Sequence, residues 1–253
     1  MPRPSFIGLG AAKAGTTKVA QLLSQHPQIF MSSPKELHFF DGDAPDSHLA
    51  PDSYFSQFEE AQAAGEFTPS YLFMPEAPGA IAKLLGTEIK FIVALRNPVD
   101  RAYSHYCHAV NNWSEPKWQE RNYPAENAGF EDALIEEPMR LQAGRFHIRH
   151  QSYFSKGLYA LQLRRFFAFF PQENFFIYLF EDFVADPHGV LASLCRFLGV
   201  DENFEFADVR ERVNAQTQGE IPLDLRSKLT GAYREANNEL AEMIGRDLSL
   251  WNG

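Results

Sequence analysis

The chain has 253 residues, of which 45% are hydrophobic and 22% charged, and its formal net charge is −10 at pH 7. This composition is typical of a globular protein that buries a core of its own. The acidic balance excludes broad binding to nucleic acids or anionic membranes, because both require a basic face.

Three features of the sequence predict a cytoplasmic location. The two cysteines, Cys107 and Cys195, do not make a disulfide framework, which favours a reducing compartment. The first residues, MPRPSFIGLG, lack the apolar region and cleavage site of a signal peptide. No apolar run approaches the ~20 residues that a membrane span needs.

The first predicted strand, SFIGLG, leads into a loop similar to a phosphate-binding loop, GLGAAKAGTTK. Gly10 and Gly15 have the glycine spacing of G-x-x-x-x-G-K-[ST], and Thr17 fills the hydroxyl position. Thr16 stands where the lysine is expected, and Lys13 lies inside the loop instead. Backbone N–H groups of such a loop, with the positive end of the next helix, bind anions. The alternative is a glycine-containing turn with a solvated lysine.

The segment SPKELHFFD follows the first predicted helix and carries a candidate base. Glu36 and His38 are two residues apart, so in an extended segment they face the same way, with Leu37 and Phe39 toward the core. A carboxylate beside a histidine suits general-base catalysis on a hydroxyl. The alternatives are that Glu36 is bonded to Lys35 or solvent, and that His38 is packed against the two phenylalanines.

A second candidate anion site follows the predicted buried strand KFIVAL, residues 90–95. Asn97 and the proline after it predict the start of a helix. Arg96 at the strand end and Ser104 on that helix can bind a phosphate through charge-assisted hydrogen bonds. The alternative for Arg96 is a surface pair with Asp100.

Residues 107–154 lack a clean period and predict a mostly irregular insertion with a short helix near FEDALIEE. We expect this insertion to form the acceptor pocket, and the alternative is that its aromatic residues close a small core. The aromatic candidates are Tyr106, Trp113, Trp118, Tyr123, Phe146 and His147.

The second half of the chain continues the alternation of strands and helices. The pattern predicts a helix spanning Leu158, Leu161, Phe166 and Phe169, and a buried strand NFFIYLF. Asp186 predicts the N-cap of the next helix. The last long helix is expected from about Leu223 to Ile244.

Buried strands alternating with helices predict an α/β fold: a three-layer, open, mostly parallel sheet with helices on both faces, in a single domain over 1–253. Ligands of such sheets bind at the carboxyl ends of the strands. The loop after Leu9, Arg96 after Leu95, and Glu181–Asp182 all fall at predicted strand ends.

Together these segments resemble the sulfotransferases that use 3′-phosphoadenosine 5′-phosphosulfate (PAPS). KAGTT resembles their 5′-phosphosulfate loop, and LRNPVDRAYSHY resembles their 3′-phosphate segment. KELHFFD is similar to the catalytic segment of the branch that includes the heparan sulfate and other Golgi-type enzymes and their bacterial relatives. The resemblance extends from about residue 5 to the C-terminus and implies a P-loop fold.

The resemblance also implies roles for individual residues. Lys13 would contact the bridging oxygen of the leaving phosphate, and Glu36 would take the proton of the attacking acceptor, with His38 orienting the acceptor or the sulfuryl oxygen. Arg96 and Ser104 would hold the 3′-phosphate. No metal is required. The 5′-phosphate would be held by the amides of Ala14, Gly15, Thr16 and Thr17 and the two threonine hydroxyls.

The sequence departs from the family pattern at two places. Phe67 stands where the heparan sulfate branch often has lysine before Thr-Pro, so a positive group beside the acceptor is expected to be missing. In QTQGEIP, Gln218 and Glu220 stand where basic residues of a nucleotide-covering loop are expected. Backbone amides around Gly219 can still reach a 3′-phosphate. With the acidic net charge, these changes favour a small-molecule, lipid, polyketide or sugar alcohol over a highly anionic glycan.

Two other functions remain open alternatives. A P-loop kinase is supported by the glycine spacing and by Glu181–Asp182, whereas Thr16 at the position of the phosphate-binding lysine opposes it. A non-catalytic nucleotide-binding relative would bind the same nucleotide without needing Glu36. A metal site is the weakest reading, since the His105/His108 and His147/His150 pairs lack a completing ligand. The acceptor, the choice between hydroxyl and amine, and the oligomeric state are not determined by the sequence.

Overall fold

The computed structural model describes residues 1–42, 50–112, 124–211 and 219–252. The chain folds into two compact units. The first consists of Met1–Arg96 with Gln162–Asn214, and the second of Asn97–Leu161 with Ala215–Gly253. Organisation as one domain stays a prediction.

A five-stranded sheet forms the centre of the first unit. Its order is β2-β3-β1-β4-β5, and every pair of neighbours is parallel. Because all strands run the same way, their carboxyl ends meet at one edge. The strands are β1 Phe6–Gly10, β2 Ile29–Met31, β3 Ala63–Phe67, β4 Lys90–Leu95 and β5 Phe175–Leu179.

Helices surround this sheet, which confirms the predicted α/β fold. The first, α1, begins directly after the phosphate-type loop, and Asp186 caps a later helix by accepting from the N–H of Gly189 at 3.0 Å, as predicted. The helices of this unit are α1 Thr16–Leu23, α2 Pro51–Phe55, α3 Ala77–Leu85, α8 Phe180–Ala185 and α9 Pro187–Leu198.

Two strands, β2 and β3, were not predicted from the sequence. The sequence of β3, AAGEF, contains no β-branched residue, and β2 has three residues, so neither carries a strong strand pattern. Yet β3 is buried along its whole length, because it lies between β1 and β2. The burial is imposed by the neighbouring strands rather than by the local sequence.

The helix predicted around Leu158 to Phe169 is shorter than expected. It spans Tyr159–Phe167, here α7. Phe166 is fully buried, whereas Leu161 is 53% exposed and Phe169 is 49% exposed. The predicted helix is therefore too long at both ends, since Leu158 and Phe169 lie outside it.

The second unit is helical among its described residues. Asn97 caps α4, accepting from the N–H of Val99 at 3.0 Å, as predicted. The helices are α4 Pro98–Asn112, α5 Phe130–Arg140, α6 Arg145–His150 and α10 Leu223–Ile244. Their shared core contains Val99, Ala102, Phe130, Ala133, Tyr153, Ile221, Leu225, Leu229 and Tyr233.

The segment 107–154 is more regular than predicted. The last turns of α4, and α5 and α6, occupy much of its described part, so a mostly irregular insertion with one short helix is wrong there. Local periodicity was weak because α5 carries an internal proline, Pro138, and α6 has only six residues. No helix within the described ranges is long and apolar enough to cross a membrane.

Candidate active site

The phosphate-type loop connects the end of β1 to the start of α1. Two of its residues, Lys13 and Gly15, have left-handed backbone conformations, with φ of 72° and 81°. A Cβ at Gly15 would lie 3.0 Å from the ring of Phe180. Position 15 therefore needs glycine both for its conformation and for its contact with the start of α8.

The first N–H groups of α1 face outward from the helix end. The opening residues of a helix, here Thr16 and Thr17, have no acceptor within the helix, and the helix dipole makes this end positive. The N–H of Ala14 instead donates to the carbonyl of Ala11 at 3.1 Å. Of the amides predicted to bind the phosphate, that of Ala14 is therefore engaged within the loop.

Arg96 lies against this loop from the end of β4. Its Nη1 donates to the carbonyl of Lys13 at 3.0 Å, and its guanidinium lies 4.9 Å from the centre of the Phe180 ring. The alternative partner, Asp100, accepts from Arg226 at 2.7 Å. These contacts place the guanidinium beside the loop, where a cation is expected in an anion site.

The candidate base, Glu36, contacts the side chains of Lys35 and His38. Its Oε1 lies 2.8 Å from Nζ of Lys35, and its Oε2 lies 3.3 Å from Nε2 of His38. The Glu36 side chain is 38% exposed, so an acceptor can reach it. Partial burial disfavours its charge, but the hydrogen bond from His38 and the charge of Lys35 outweigh burial and lower its pKa from 4.5 to about 2.

The segment around Glu36 is not the extended strand that was predicted. His38 has a left-handed φ of 53°, and Phe40 is the buried aromatic residue, whereas Leu37 and Phe39 are half-buried. Glu36 and His38 nevertheless meet, as the spacing suggested.

Behind His38 lies a buried carboxylate. Oδ2 of Asp41 is 2.8 Å from Nδ1 of His38 and also accepts from Oγ of Ser70 at 2.5 Å. An imidazole that donates to Asp41 through Nδ1 can also donate to Glu36 only as the imidazolium. Both ring nitrogens are engaged. This arrangement favours the site interpretation of His38 over simple packing.

Lys35 joins the base to the loop. Its Nζ donates to Oγ1 of Thr17 at 3.2 Å and lies 2.8 Å from Oε1 of Glu36. The sequence analysis considered Lys35 only as a surface partner of Glu36. Its spacing from the loop in sequence gave no signal of this contact, because the fold brings the two segments together.

Three consecutive backbone N–H groups of the segment that carries Glu36 and His38 are held by side chains from β3 and the turn after it. The N–H of Leu37 donates to Oγ1 of Thr68 at 3.0 Å, and that of His38 to the same oxygen at 3.4 Å. The N–H of Phe39 donates to the hydroxyl of Tyr71 at 2.8 Å. These bonds fix the backbone that carries Glu36 and His38.

Glu66 is the centre of this buried network. Its Oε2 accepts from Oγ1 of Thr68 at 2.5 Å and from the N–H of Leu37 at 3.2 Å. Its Oε1 accepts from the hydroxyls of Tyr54 and Tyr71, each at 3.1 Å. Complete burial raises the pKa of Glu66 to about 7, despite these hydrogen bonds. Neither Glu66 nor Asp41 was a sequence-based candidate, although Asp41 stands inside the quoted segment SPKELHFFD.

The remaining predicted nucleotide contacts lie in the second unit or outside the described residues. Ser104 is 3% exposed on α4. Gly219 lies close to α4, since a Cβ there would be 3.2 Å from the hydroxyl of Tyr103. Gln218 lies outside the described residues. The roles of these three residues stay predictions.

The predicted aromatic wall is only partly described. Tyr106 packs against the core of the second unit, and its hydroxyl donates to the carbonyl of Ala128 at 3.0 Å, as the core alternative predicted. Phe146 and His147 form an edge-to-face pair on α6, with 5.4 Å between the centres of their rings. The other three, Trp113, Trp118 and Tyr123, lie outside the described residues.

The residues that supported a kinase or a metal site in the sequence are arranged differently from what those functions would require. β5 ends at Leu179, and Glu181–Asp182 lie in the first turn of α8 rather than at a strand end. His108 is bonded to Asn112 at 2.8 Å, and His147 to Gln151 at 2.5 Å. Within the described ranges, no three His, Cys, Asp or Glu residues are grouped to hold a metal ion.

Known proteins resemble this chain in both sequence and structure. Residues 3–219 match the family model described as a sulfotransferase domain. A solved sulfotransferase from Alicyclobacillus acidocaldarius is 33% identical with a TM-score of 0.82, and each chain is covered completely.

Curated relatives are more distant in sequence. Heparan sulfate glucosamine 3-O-sulfotransferase 3A1 of Mus musculus is 26% identical over 99% of this chain and 65% of its own length. The membrane-associated sulfotransferase kil1 of Dictyostelium discoideum is 24% identical over 98% of this chain and 67% of its own length. The chain thus spans about two thirds of the length of these curated relatives.

Proposed function

This chain belongs to the family of sulfotransferase domains, and on that basis we propose that it transfers the sulfuryl group of PAPS to a hydroxyl group, with Glu36 as general base. The observation that carries the proposal is the connection between base and loop. Lys35 contacts both Glu36 and Thr17, at 2.8 and 3.2 Å, so the base lies at the edge of a loop suited to a phosphosulfate.

The residues around the loop fit such a donor. The open end of α1 provides N–H groups at Thr16 and Thr17 for the 5′-phosphate, and Lys13 provides the charge for the bridging oxygen. Arg96 contributes a guanidinium beside the loop. The assignment of the 3′-phosphate to Arg96 and Ser104 stays a prediction.

The proposed reaction is an in-line transfer. The acceptor oxygen forms a bond to sulfur while the bond from sulfur to the bridging oxygen breaks, and the electron pair stays on the leaving 5′-phosphate. Glu36 takes the proton of the acceptor hydroxyl, and His38 holds the second oxygen of that carboxylate in place. Fixed donors and positioning supply most of the acceleration, because charge spreads over the sulfuryl oxygens.

The proposed acceptor is a small-molecule, lipid, polyketide or sugar alcohol. The net charge of −10 disfavours polyanions, and the exposed carboxylate of Glu36 suits a neutral hydroxyl. The cytoplasmic location predicted from the sequence belongs to the same proposal, and fractionation of the source cells tests it.

The first test compares adenosine 3′,5′-bisphosphate with ATP and ADP by thermal shift, each with and without Mg²⁺. A ligand at a hundred times its Kd stabilises the native state by about 2.7 kcal/mol. For a chain of this size the melting temperature then rises by roughly 5–10 °C. We expect this rise with the bisphosphate, independent of Mg²⁺. A rise only with ATP and Mg²⁺ would overturn the proposal in favour of a kinase.

The second test is the Glu36→Gln variant, which separates an enzyme from a non-catalytic relative. Removing a general base lowers the rate by about 10²–10⁴-fold. We expect that loss in sulfuryl transfer, with bisphosphate affinity unchanged. The exposed Glu60→Gln variant serves as the matched control. Transfer that is equally fast in Glu36→Gln and wild type rules out Glu36 as the base.

A further inference from the structure

The low pKa of Glu36 poses a chemical problem. General-base catalysis is most efficient when the pKa of the base lies near the working pH. Glu36, held between Lys35 and His38, has a pKa of about 2 and is therefore a weak base in the protein without substrates. Loss of either ion pair would raise this pKa, and the geometry around Lys35 indicates which of the two can be exchanged.

We propose that Lys35 is a catalytic residue whose ammonium leaves Glu36 for the oxygens of the sulfuryl group when the donor binds. One lysine then stabilises the transferred group and frees the base that starts the transfer. The inference rests on the proposed function, because it assigns Lys35 a role toward the same donor.

The position of the ammonium supports this role. It lies 3.2 Å from Oγ1 of Thr17, the hydroxyl on the first turn of α1, and 2.8 Å from Oε1 of Glu36. A sulfuryl group in transit passes from the loop toward the acceptor beside Glu36. The ammonium spans these same two positions, so its reach matches the path of the group.

The backbone of Lys35 is fixed while its side chain retains freedom. The carbonyl of Lys35 accepts from the N–H of Phe67 at 3.1 Å, which ties this residue to the end of β3. The side chain is 23% exposed and ends in three donor hydrogens on a flexible stem. It can therefore change partners without any movement of the backbone.

Position 67 cannot supply this charge. Phe67 is fully buried, and its ring fills the space where a side chain at Gly8 would begin. The sequence analysis concluded from Phe67 that a positive group beside the acceptor would be missing. Lys35, whose carbonyl accepts from the N–H of Phe67, brings an ammonium to Glu36, and under the inference this ammonium takes the place of the missing charge.

A binding comparison tests the contact with the sulfuryl group. The two ligands are PAPS and adenosine 3′,5′-bisphosphate, which lacks the sulfuryl group, and affinities are measured by calorimetry without acceptor. In Lys35→Met we expect bisphosphate affinity to stay within about threefold of wild type. Affinity for PAPS should fall about tenfold or more, and the transfer rate about 10²–10³-fold. Lys35→Arg, which keeps the charge, should restore part of the PAPS affinity.

The control is Lys83→Met, which removes an exposed lysine from α3. If Lys35→Met binds PAPS and transfers the sulfuryl group as Lys83→Met does, the inference is wrong and the proposed function stands. If wild type binds neither ligand, the proposed function fails, and the inference with it.

A titration tests the release of the base without measuring activity. Glu36 is faced by Lys35 and His38, with Asp41 behind the histidine, and its carboxyl carbon can be followed by NMR with Glu36→Gln to assign the signal. In Lys35→Met the carboxyl group of Glu36 should titrate at a higher pH than in wild type, even without ligand. In wild type, PAPS should raise the titration midpoint, whereas the bisphosphate should not. Equal midpoints with the two ligands would overturn the proposed release.

Discussion

Two glutamates of the candidate site, Glu36 and Glu66, show how surroundings set the chemistry of one residue type. Glu36 is partly exposed and paired with Lys35 and His38, which lowers its pKa to about 2. Glu66 is fully buried, and burial raises its pKa to about 7. The first carboxylate is suited to exchange partners with substrates, whereas the second is suited to hold a network in place.

The raised pKa of Glu66 predicts a pH dependence of stability. Its pKa is about 7 in the folded protein and 4.5 as a free side chain, so the folded state binds more protons between these values. Its contribution is therefore fully present below pH 4.5 and is lost as pH rises through 7. Each pKa unit corresponds to about 1.4 kcal/mol, so the loss amounts to a few kcal/mol at most.

We expect Glu66→Gln to lack this decline. The measurement is the free energy of unfolding by urea at pH 5 and pH 8, in wild type, Glu66→Gln and the exposed control Glu60→Gln. The variant should be less stable than wild type at pH 5 and approach it at pH 8. A constant difference between the two proteins at both pH values would contradict the assigned pKa.

At the scale of elements, the end of β3 and the turn after it shape the catalytic segment. Thr68 accepts from the N–H groups of Leu37 and His38 and donates to Glu66. The segment has no regular secondary structure of its own, so these side chains take the place of strand partners. Its geometry is therefore set by another element.

Replacing Thr68 by valine should misplace the base. The variant removes the hydroxyl that accepts from the N–H groups of Leu37 and His38, with Glu66 still accepting from Leu37, at a cost of about 1–3 kcal/mol in stability. Small displacements of catalytic groups lower rates by up to about a hundredfold. We expect the transfer rate to fall about ten- to a hundredfold with bisphosphate affinity unchanged.

The Thr68→Ser variant distinguishes positioning from general destabilisation. It keeps the hydroxyl and should restore most of the rate at a temperature where both variants remain folded. If Thr68→Ser is as slow as Thr68→Val, loss of packing rather than loss of the hydroxyl explains the effect.

The packing of β1 against β3 yields a second prediction at this scale. A Cβ at Gly8 would lie 2.0 Å from the ring of Phe67, closer than any real contact. Gly8→Ala should therefore destabilise the protein by about 1–3 kcal/mol, the usual cost of overpacking. Thermal unfolding of Gly8→Ala, Phe67→Leu and the double variant measures the coupling.

In the double variant the smaller side chain leaves room for the added methyl group. The effects of the two substitutions should then be less than additive. Strict additivity would show that Phe67 is not the obstacle at position 8.

At the scale of the whole molecule, the net charge of −10 supports the proposed preference for an uncharged acceptor. A polyanionic acceptor is repelled at low ionic strength, and salt screens this repulsion over about 10 Å at 0.1 M. We expect neutral alcohols to be better acceptors than heparan-type chains. Because salt screens the repulsion, the kcat/KM of a polyanionic acceptor should rise between about 20 and 200 mM salt. The kcat/KM of a neutral alcohol should not change.

Initial rates with a matched pair of acceptors, one neutral and one sulfated, provide the measurement. A polyanion whose kcat/KM falls with added salt would show that a local basic surface, rather than the net charge, governs its approach.

The sequence by itself determined the location of the loop and of the strands β1, β4 and β5. Apolar runs such as KFIVAL and the helix caps at Asn97 and Asp186 depend on interactions within a few residues. They can therefore be recognised in the local sequence. The same holds for Gly15, whose left-handed conformation is a local property of the chain. The family followed from motifs of this kind.

Only the tertiary structure decided which residues complete the site. β3 is buried by its neighbours rather than by its own sequence, and this burial makes Glu66 the centre of a network. Lys35 reaches Thr17 and Glu36 because two segments meet in space. Hydrogen bonds and charges act over a few ångströms in space, whatever the separation along the chain, and no local pattern encodes that proximity.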